Sequence, residues 1–409
     1  MAELRVGDTH AATDRLKRRN VAIVEGSHAS TIRVHEELEM RILVSGAGVA
    51  GLSAGIDLAR AGHQVEVVER ANHLRVNGSP IDVRGAAIQT ASSMGILDAV
   101  HEHRITMTEQ TTFVDRSGAA VAGLVREEID ESAEDVEIPR EDLMNILRDA
   151  LPSQVDLRFK ESIASLVDHG DSVAVSFASG RDAVYDVVVG ADGVHSAVRR
   201  LVFGPESEFT EHLGMYVAIA DAPEQSTPGN RTTEVLNVPG LMAGVARYRD
   251  KALALFEFRS EPIDYDYHDL DAQKRILADA FAGVDDWKIP ELIRTAQDDP
   301  ELYFDAIAQI KMPRWHHGRV VLIGDAAHCA TPMAGRGTSL ALLGAWILTD
   351  ELTRHGDDVD AAFSAYEERL RPEAAAAQQF ASVGAEIVLP ATWEAIEARN
   401  SRLRAAQPL

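Results

Sequence analysis

The chain has 409 residues, 45% of them hydrophobic and 26% charged, with 29 Gly and 15 Pro; at about 150 residues per domain that suits roughly two to three folded domains and excludes disorder, collagen and coiled coil. Forty Lys plus Arg against 65 Asp plus Glu leave a net charge of −25, a field that repels nucleic acid and anionic lipid, so no nucleic-acid partner is expected. No apolar run approaches the roughly 18 to 20 residues of a membrane span, and the single cysteine, Cys329, makes no internal disulfide, which together point to a cytoplasmic protein.

Residues 1–39 carry little pattern: an apolar stretch at 21–24 is broken by Gly26 and Ser27, and no apolar h-region with a cleavage site is present. They read as an N-terminal extension and not as a secretory signal. From Met40 the pattern sharpens into a strand over 41–45, a helix over 49–61 ended by Gly62, and a strand over 65–68, which is one βαβ unit. Helical spacing recurs over 86–102 and 140–151. Alternating strands fill 157–177 around the turn His169-Gly170-Asp171, and 205–265 reads as mostly β, with turns at Pro223, Pro228-Gly229 and Pro239-Gly240. Helices follow over 271–282 and 290–297, then a buried strand over 320–323, a long helix over 337–352 and an Ala-rich helical stretch over 358–385. The expected fold is α/β, a Rossmann-like domain interleaved with a β-sheet domain and followed by C-terminal helices.

Gly46-Ala47-Gly48-Val49-Ala50-Gly51 is G-x-G-x-x-G set between a strand and a helix, and Glu69 ends the next strand. The first glycine permits the tight turn, the second lets backbone approach a pyrophosphate, and the third lets helix and strand pack closely. The helix N-terminus offers free N–H groups to the phosphates. Glu69 is placed to accept both hydrogen bonds of a ribose diol and would repel a 2′-phosphate. The ligand is FAD or NAD.

Two further strand ends carry small residues and an acid. One is Val189-Gly190-Ala191-Asp192-Gly193, and the other is Ile323-Gly324-Asp325, which leads through Pro332 to Gly335-Arg336-Gly337 and a helix. Together with the glycine turn they resemble the FAD-dependent aromatic hydroxylases, the single-component flavoprotein monooxygenases of the 4-hydroxybenzoate hydroxylase and tetracycline-inactivating type. The resemblance covers Met40 to about residue 385. It implies an FAD-binding domain of 40–76, 137–204 and 300–355, a substrate domain of 77–136 and 205–299, and C-terminal helices over 356–409. Carried over by position, Gly46, Gly48, Gly51, Glu69, Arg70 and Arg140 would hold the ADP half of FAD. Gly324 and Asp325 would meet the ribityl-pyrophosphate part, followed by Gly335 and Gly337, with Arg75 and Asp82 near the flavin. Asp192 would serve both FAD and a transient NAD(P)H co-substrate. The activity implied is hydroxylation of an aromatic, phenolic or polyketide-type small molecule with O₂, through a flavin C4a-hydroperoxide, by a monomer or homodimer. The family's P-x-x-G-Q-G reads Pro332-Met333-Ala334-Gly335-Arg336-Gly337 here, and its acidic pair on the following helix is Leu343-Gly344.

Other readings of the same residues are plainer. His328 lacks a partner acid at readable spacing and suits a structural or flavin-lining place. His316-His317 suits a solvated loop more than a metal site. Ser196 suits a cap on the helix that starts at Ala197, and Cys329 a small buried hydrophobe. Met215, Tyr216, Met242, Tyr248, Phe256 and Phe258 are candidates for the substrate sheet. Trp287-Lys288-Ile289-Pro290 approaches the W-x-W-x-I-P motif of flavin-dependent halogenases, but Asp285 stands at its first Trp, and Lys160 is the only lysine between Met40 and Lys251. The alternatives to a monooxygenase are a flavin-bound protein without turnover and, further off, a halogenase.

Overall fold

The computed structural model describes residues 39–74, 79–105, 110–125, 134–225, 232–249, 251–331 and 334–406. Its first sheet has six strands in the order His316–His317, Val320–Leu322, Val187–Gly190, Arg41–Ser45, Gln64–Glu69 and Asp156–Phe159. All neighbours run parallel except the His316–His317 edge. Parallel strands covered on both faces read as continuous apolar runs, and Val187, Val188 and Val189 are indeed fully buried. Ser45 lies opposite Gly190, and Gly190 opposite Leu322. Three chain segments therefore leave the sheet side by side at its carboxyl edge, where open α/β sheets bind ligands.

The second sheet has seven strands in the order Tyr303–Ile310, Thr210–Asp221, Lys251–Arg259, Leu241–Tyr248, Thr233–Val238, Gln110–Val114 and Ala120–Val125. One face packs Tyr216, Phe256, Phe258 and Phe304 against the helices Leu270–Ala280 and Ile289–Asp298. The opposite face carries Met215, Val217, Val235, Met242 and Ile307, met by Leu389. The helix Gly337–His355 packs between the helices Val49–Arg60 and Val359–Val388, and Trp393–Ala406 closes the order of elements. Among the described residues no helix is long and apolar enough to cross a membrane.

Two local expectations change. The helix over 86–102 is two, Ala86–Ser93 and Leu97–Glu102, because Gly95 at φ 64 takes the chain out of helical geometry. Strand pairing puts Tyr303–Ile310 in the second sheet, while Val83, Ala87, Ile88, Ala91 and Met94 pack into the core of the first. His316, expected in a solvated loop, is buried on the edge strand with its ring 5.8 Å from that of Phe363.

Candidate functional site

The glycine turn separates its three roles in space. Gly46 sits at φ 105, and a Cβ there would lie 2.4 Å from the Ala191 carbonyl oxygen, so only glycine lets the first strand turn beside the third. A Cβ on Gly51 would lie 1.8 Å from the Gly46 oxygen, so its absence closes the turn on the helix start. At Gly48 a Cβ would meet nothing within 4 Å. That residue faces open space at the N-terminus of Val49–Arg60, whose first turn has no acidic residue and no capping side chain. The cradle fits a pyrophosphate.

Glu69, at the end of the neighbouring strand, accepts from Ala47 N–H at 2.9 Å and from Ala71 N–H at 2.8 Å. Each carboxylate oxygen keeps a second lone pair. Arg70, expected at the ADP half, turns to His268, with Nη1 2.6 Å from Nε2.

At the end of Val187–Gly190, Asp192 turns to the helix that follows it. Its carboxylate accepts from Ser196 Oγ, from Ala197 N–H at 2.8 Å and from Val198 N–H at 3.1 Å, so it caps the helix Ala197–Val202. Burial raises its pKa and these hydrogen bonds oppose the rise. Ser196 caps the same helix, as expected, by accepting from Arg199 N–H at 2.9 Å. Gly193, next in this segment, stands at φ 79 with nothing within 4 Å of its Cβ position.

His195, not singled out in the sequence, ties the two sheets together. Its Nδ1 lies 2.8 Å from Glu206 Oε1 and its Nε2 3.2 Å from Asp305 Oδ1, on the strand Tyr303–Ile310, while its ring stacks on Tyr267 at 4.1 Å. Burial alone would lower its pKa, but the two carboxylates push it up to about 9. It is an imidazolium at neutral pH.

At the third strand end, a Cβ on Gly324 (φ 58) would lie 2.8 Å from the Ala50 Cβ, so a glycine lets this segment cross the first helix closely. Asp325 follows. It is accessible to solvent, yet enough protein surrounds it to raise its pKa, against the opposing charge of Arg140, which describes a carboxylate inside a cleft. A Cβ on Gly337 would lie 3.9 Å from Asp325 Oδ1, one on Gly335 3.9 Å from Asp82 Oδ2, and one on Gly85 3.9 Å from Arg336 Nη1. Asp82 pairs with Arg84 at 3.0 Å. Asp82, Gly335, Arg336, Gly337, Asp325 and Arg140 thus converge at the start of Gly337–His355. Arg75 lies outside the described residues. Behind them His328 is buried, its ring tilted 48° against that of Trp315 at 4.7 Å, with its pKa pushed down to about 4 by burial; it is neutral and packs. Cys329 is likewise buried, its thiol pKa pushed far up by burial, which makes it a poor nucleophile.

Comparison with known proteins bears on this site. A family profile described as an FAD binding domain matches residues 39–247 and 303–381. An uncharacterized protein of Mycobacterium tuberculosis H37Rv is 41% identical over 336 residues, 80% of this chain and 88% of that one. A flavin-dependent monooxygenase of Legionella longbeachae is 36% identical over 343 residues, 83% of this chain and 87% of its own. Among solved structures, the tetracycline destructase Tet(51) superposes with a TM-score of 0.79 at 32% identity, covering 90% of this chain and 96% of its own.

Proposed function

The chain belongs to the FAD-dependent monooxygenases, and on that premise we propose that it uses NADH or NADPH and O₂ to hydroxylate an aromatic, phenolic or polyketide-type small molecule. Bound FAD would supply hydride acceptance from the nicotinamide and activation of O₂, one oxygen atom going to the substrate and the other to water. Gly46, Gly48 and Gly51 would shape the pyrophosphate cradle, Glu69 would take the ribose diol, and Asp325 with Arg140 nearby would hold the ribityl-pyrophosphate part. The N-terminus of Gly337–His355, carrying about half a positive charge, together with Arg336 would favour negative charge on the reduced ring. The apolar face of the second sheet would exclude water from the reacting centre.

The observation that carries the reading is the convergence of Asp325, Gly335 and Gly337 beside Asp82, at the same sheet edge as the open cradle of Gly48. A multi-ring hydroxylated substrate is supported by the likeness to a tetracycline destructase. The test is anaerobic addition of NADPH, then NADH, to the FAD-loaded protein with a panel of phenols that includes tetracycline. Bleaching of the flavin absorbance is expected with at least one nicotinamide. A flavin that stays oxidised throughout would favour a flavin-bound protein without turnover.

A further inference from the structure

Residue Glu257 lies on the strand Lys251–Arg259, whose alternation turns Phe256 and Phe258 to the helix-covered face. Glu257 therefore points to the other face, among residues that the sheet register places around it. Across the sheet the row reads Asp305, Val217, Glu257, Met242 and Asn237. Val217 and Met242, its direct neighbours, are buried and apolar, as is Met215 on the next row.

The ends of the row are satisfied. Asp305 engages His195 and Asn237 accepts from Arg399 Nη1 at 2.7 Å. Glu257 differs. Among the described residues no hydrogen bond or ion pair reaches it, and its Oε2 is fully enclosed without a partner although the residue keeps part of its surface accessible. A carboxylate so placed is costly; outside this sheet Asp57, on the helix Val49–Arg60, has a likewise unpartnered Oδ2 and a pKa that burial pushes up to about 7. Glu234, two strands away on Thr233–Val238, is by contrast held by Arg247 at 2.9 Å and Lys288 at 3.4 Å. Burial pushes the Glu257 pKa up to about 7, and no nearby charge opposes the rise.

We propose that Glu257 is the specificity-determining residue of the substrate face, its carboxylate accepting a hydrogen bond from a hydroxyl of a neutral aromatic substrate. The row begins at Asp305, on the strand against which the short helix Asp325–His328 packs, with Ile310 N–H donating to the Cys329 carbonyl at 3.1 Å. The strand that starts the row thus adjoins the segment that carries Asp325, and the assignment rests on the monooxygenase reading. Its chemistry selects a class. A hydroxyl donor satisfies the orphan oxygen, whereas an aromatic carboxylate would bring a second anion beside a first that no cation offsets. Simple aromatic acids are thereby excluded in favour of uncharged phenols.

The test uses the FAD-loaded protein and three matched probes, 2-naphthol, 2-methoxynaphthalene and 6-hydroxy-2-naphthoate, titrated by their perturbation of the flavin spectrum. The wild type is expected to bind 2-naphthol about tenfold or more tighter than the methyl ether, and the naphthoate weakly. Glu257→Leu should abolish the preference for the naphthol. It should also raise Tm, since an unpaired buried charge is replaced by apolar packing; a purely structural carboxylate would lose Tm on the same change. Glu257→Gln should admit the naphthoate. Normal FAD binding with an unchanged probe ranking in both variants overturns the assignment alone, as does a holoprotein whose spectrum none of the probes perturbs. A wild type that takes up no FAD overturns the functional reading and this assignment with it.

Discussion

Glu69 accepts the Ala47 amide at 2.9 Å, so the acid at the end of the second parallel strand also holds the glycine turn that follows the first. Its other oxygen holds Ala71. Glu69→Ala removes charge-assisted hydrogen bonds worth about 1.5–3 kcal/mol each. FAD affinity should fall roughly ten- to a hundredfold, with some loss of Tm because the turn loses its acceptor. Fluorescence titration of FAD into the stripped protein measures it; unchanged affinity would remove Glu69 from the flavin site.

The three glycines of the turn should behave differently. Gly48 has φ −76, which alanine adopts freely, and an open Cβ position. Gly48→Ala should therefore keep Tm within a few degrees yet lower FAD content, because the methyl group fills the cradle. In Gly51→Ala the new Cβ would lie 1.8 Å from the Gly46 oxygen, so this variant should fail to fold or lose well over 1–3 kcal/mol. Equal flavin content in wild type and Gly48→Ala would place the pyrophosphate elsewhere.

His195 makes stability depend on pH. Its folded pKa, about 9 against the ordinary 6.5 of a free imidazole, is raised, so its contribution is complete below about pH 6.5 and disappears as pH climbs through 9. That contribution is on the order of 3 kcal/mol before solvent screening reduces it at a ring that is 26% exposed. Urea unfolding of wild type and His195→Gln should differ most near pH 6 and converge near pH 10. A constant difference across that range would show that Glu206 and Asp305 do not hold a proton on the ring.

Arg336 is half-buried, with Nη1 near Gly85, at the helix start proposed to face the reduced ring. Arg336→Gln should lower the flavin reduction potential by some tens of millivolts, about 30 mV corresponding to about 1.4 kcal/mol for two electrons. A redox titration at pH 7 that gives equal potentials would leave the helix terminus as the only positive influence.

How much of this was legible in the sequence depends on the range of the forces involved. The glycine turn was readable because its demands are local: a positive φ at Gly46, a Cβ excluded at Gly51, an acid at the strand end. Asp192 was legible as the acid after a strand, but its direction is set by the helix start five residues on, and the carboxylate turned there. The six residues proposed for the substrate sheet divide between its faces, Tyr216, Phe256 and Phe258 facing helices while Met215 and Met242 face away. Alternation reports that two faces exist and not which one meets a ligand. Glu257 was hidden for the same reason. In Phe256-Glu257-Phe258 a lone acid between aromatics reads as a solvent-facing residue, and only the cover on both faces shows that it is enclosed.

If this chain inserts one atom of O₂ into a small molecule at the expense of NADH or NADPH, the new oxygen in the product comes from O₂ and not from water. The most direct measurement runs the FAD-loaded protein with both nicotinamides, tetracycline and the naphthols under ¹⁸O₂, and weighs the products by mass spectrometry. One ¹⁸O atom per product molecule, with one nicotinamide oxidised for each, is the predicted result. Product oxygen drawn from water, or nicotinamide oxidation that no member of the panel raises above its basal rate, would contradict it.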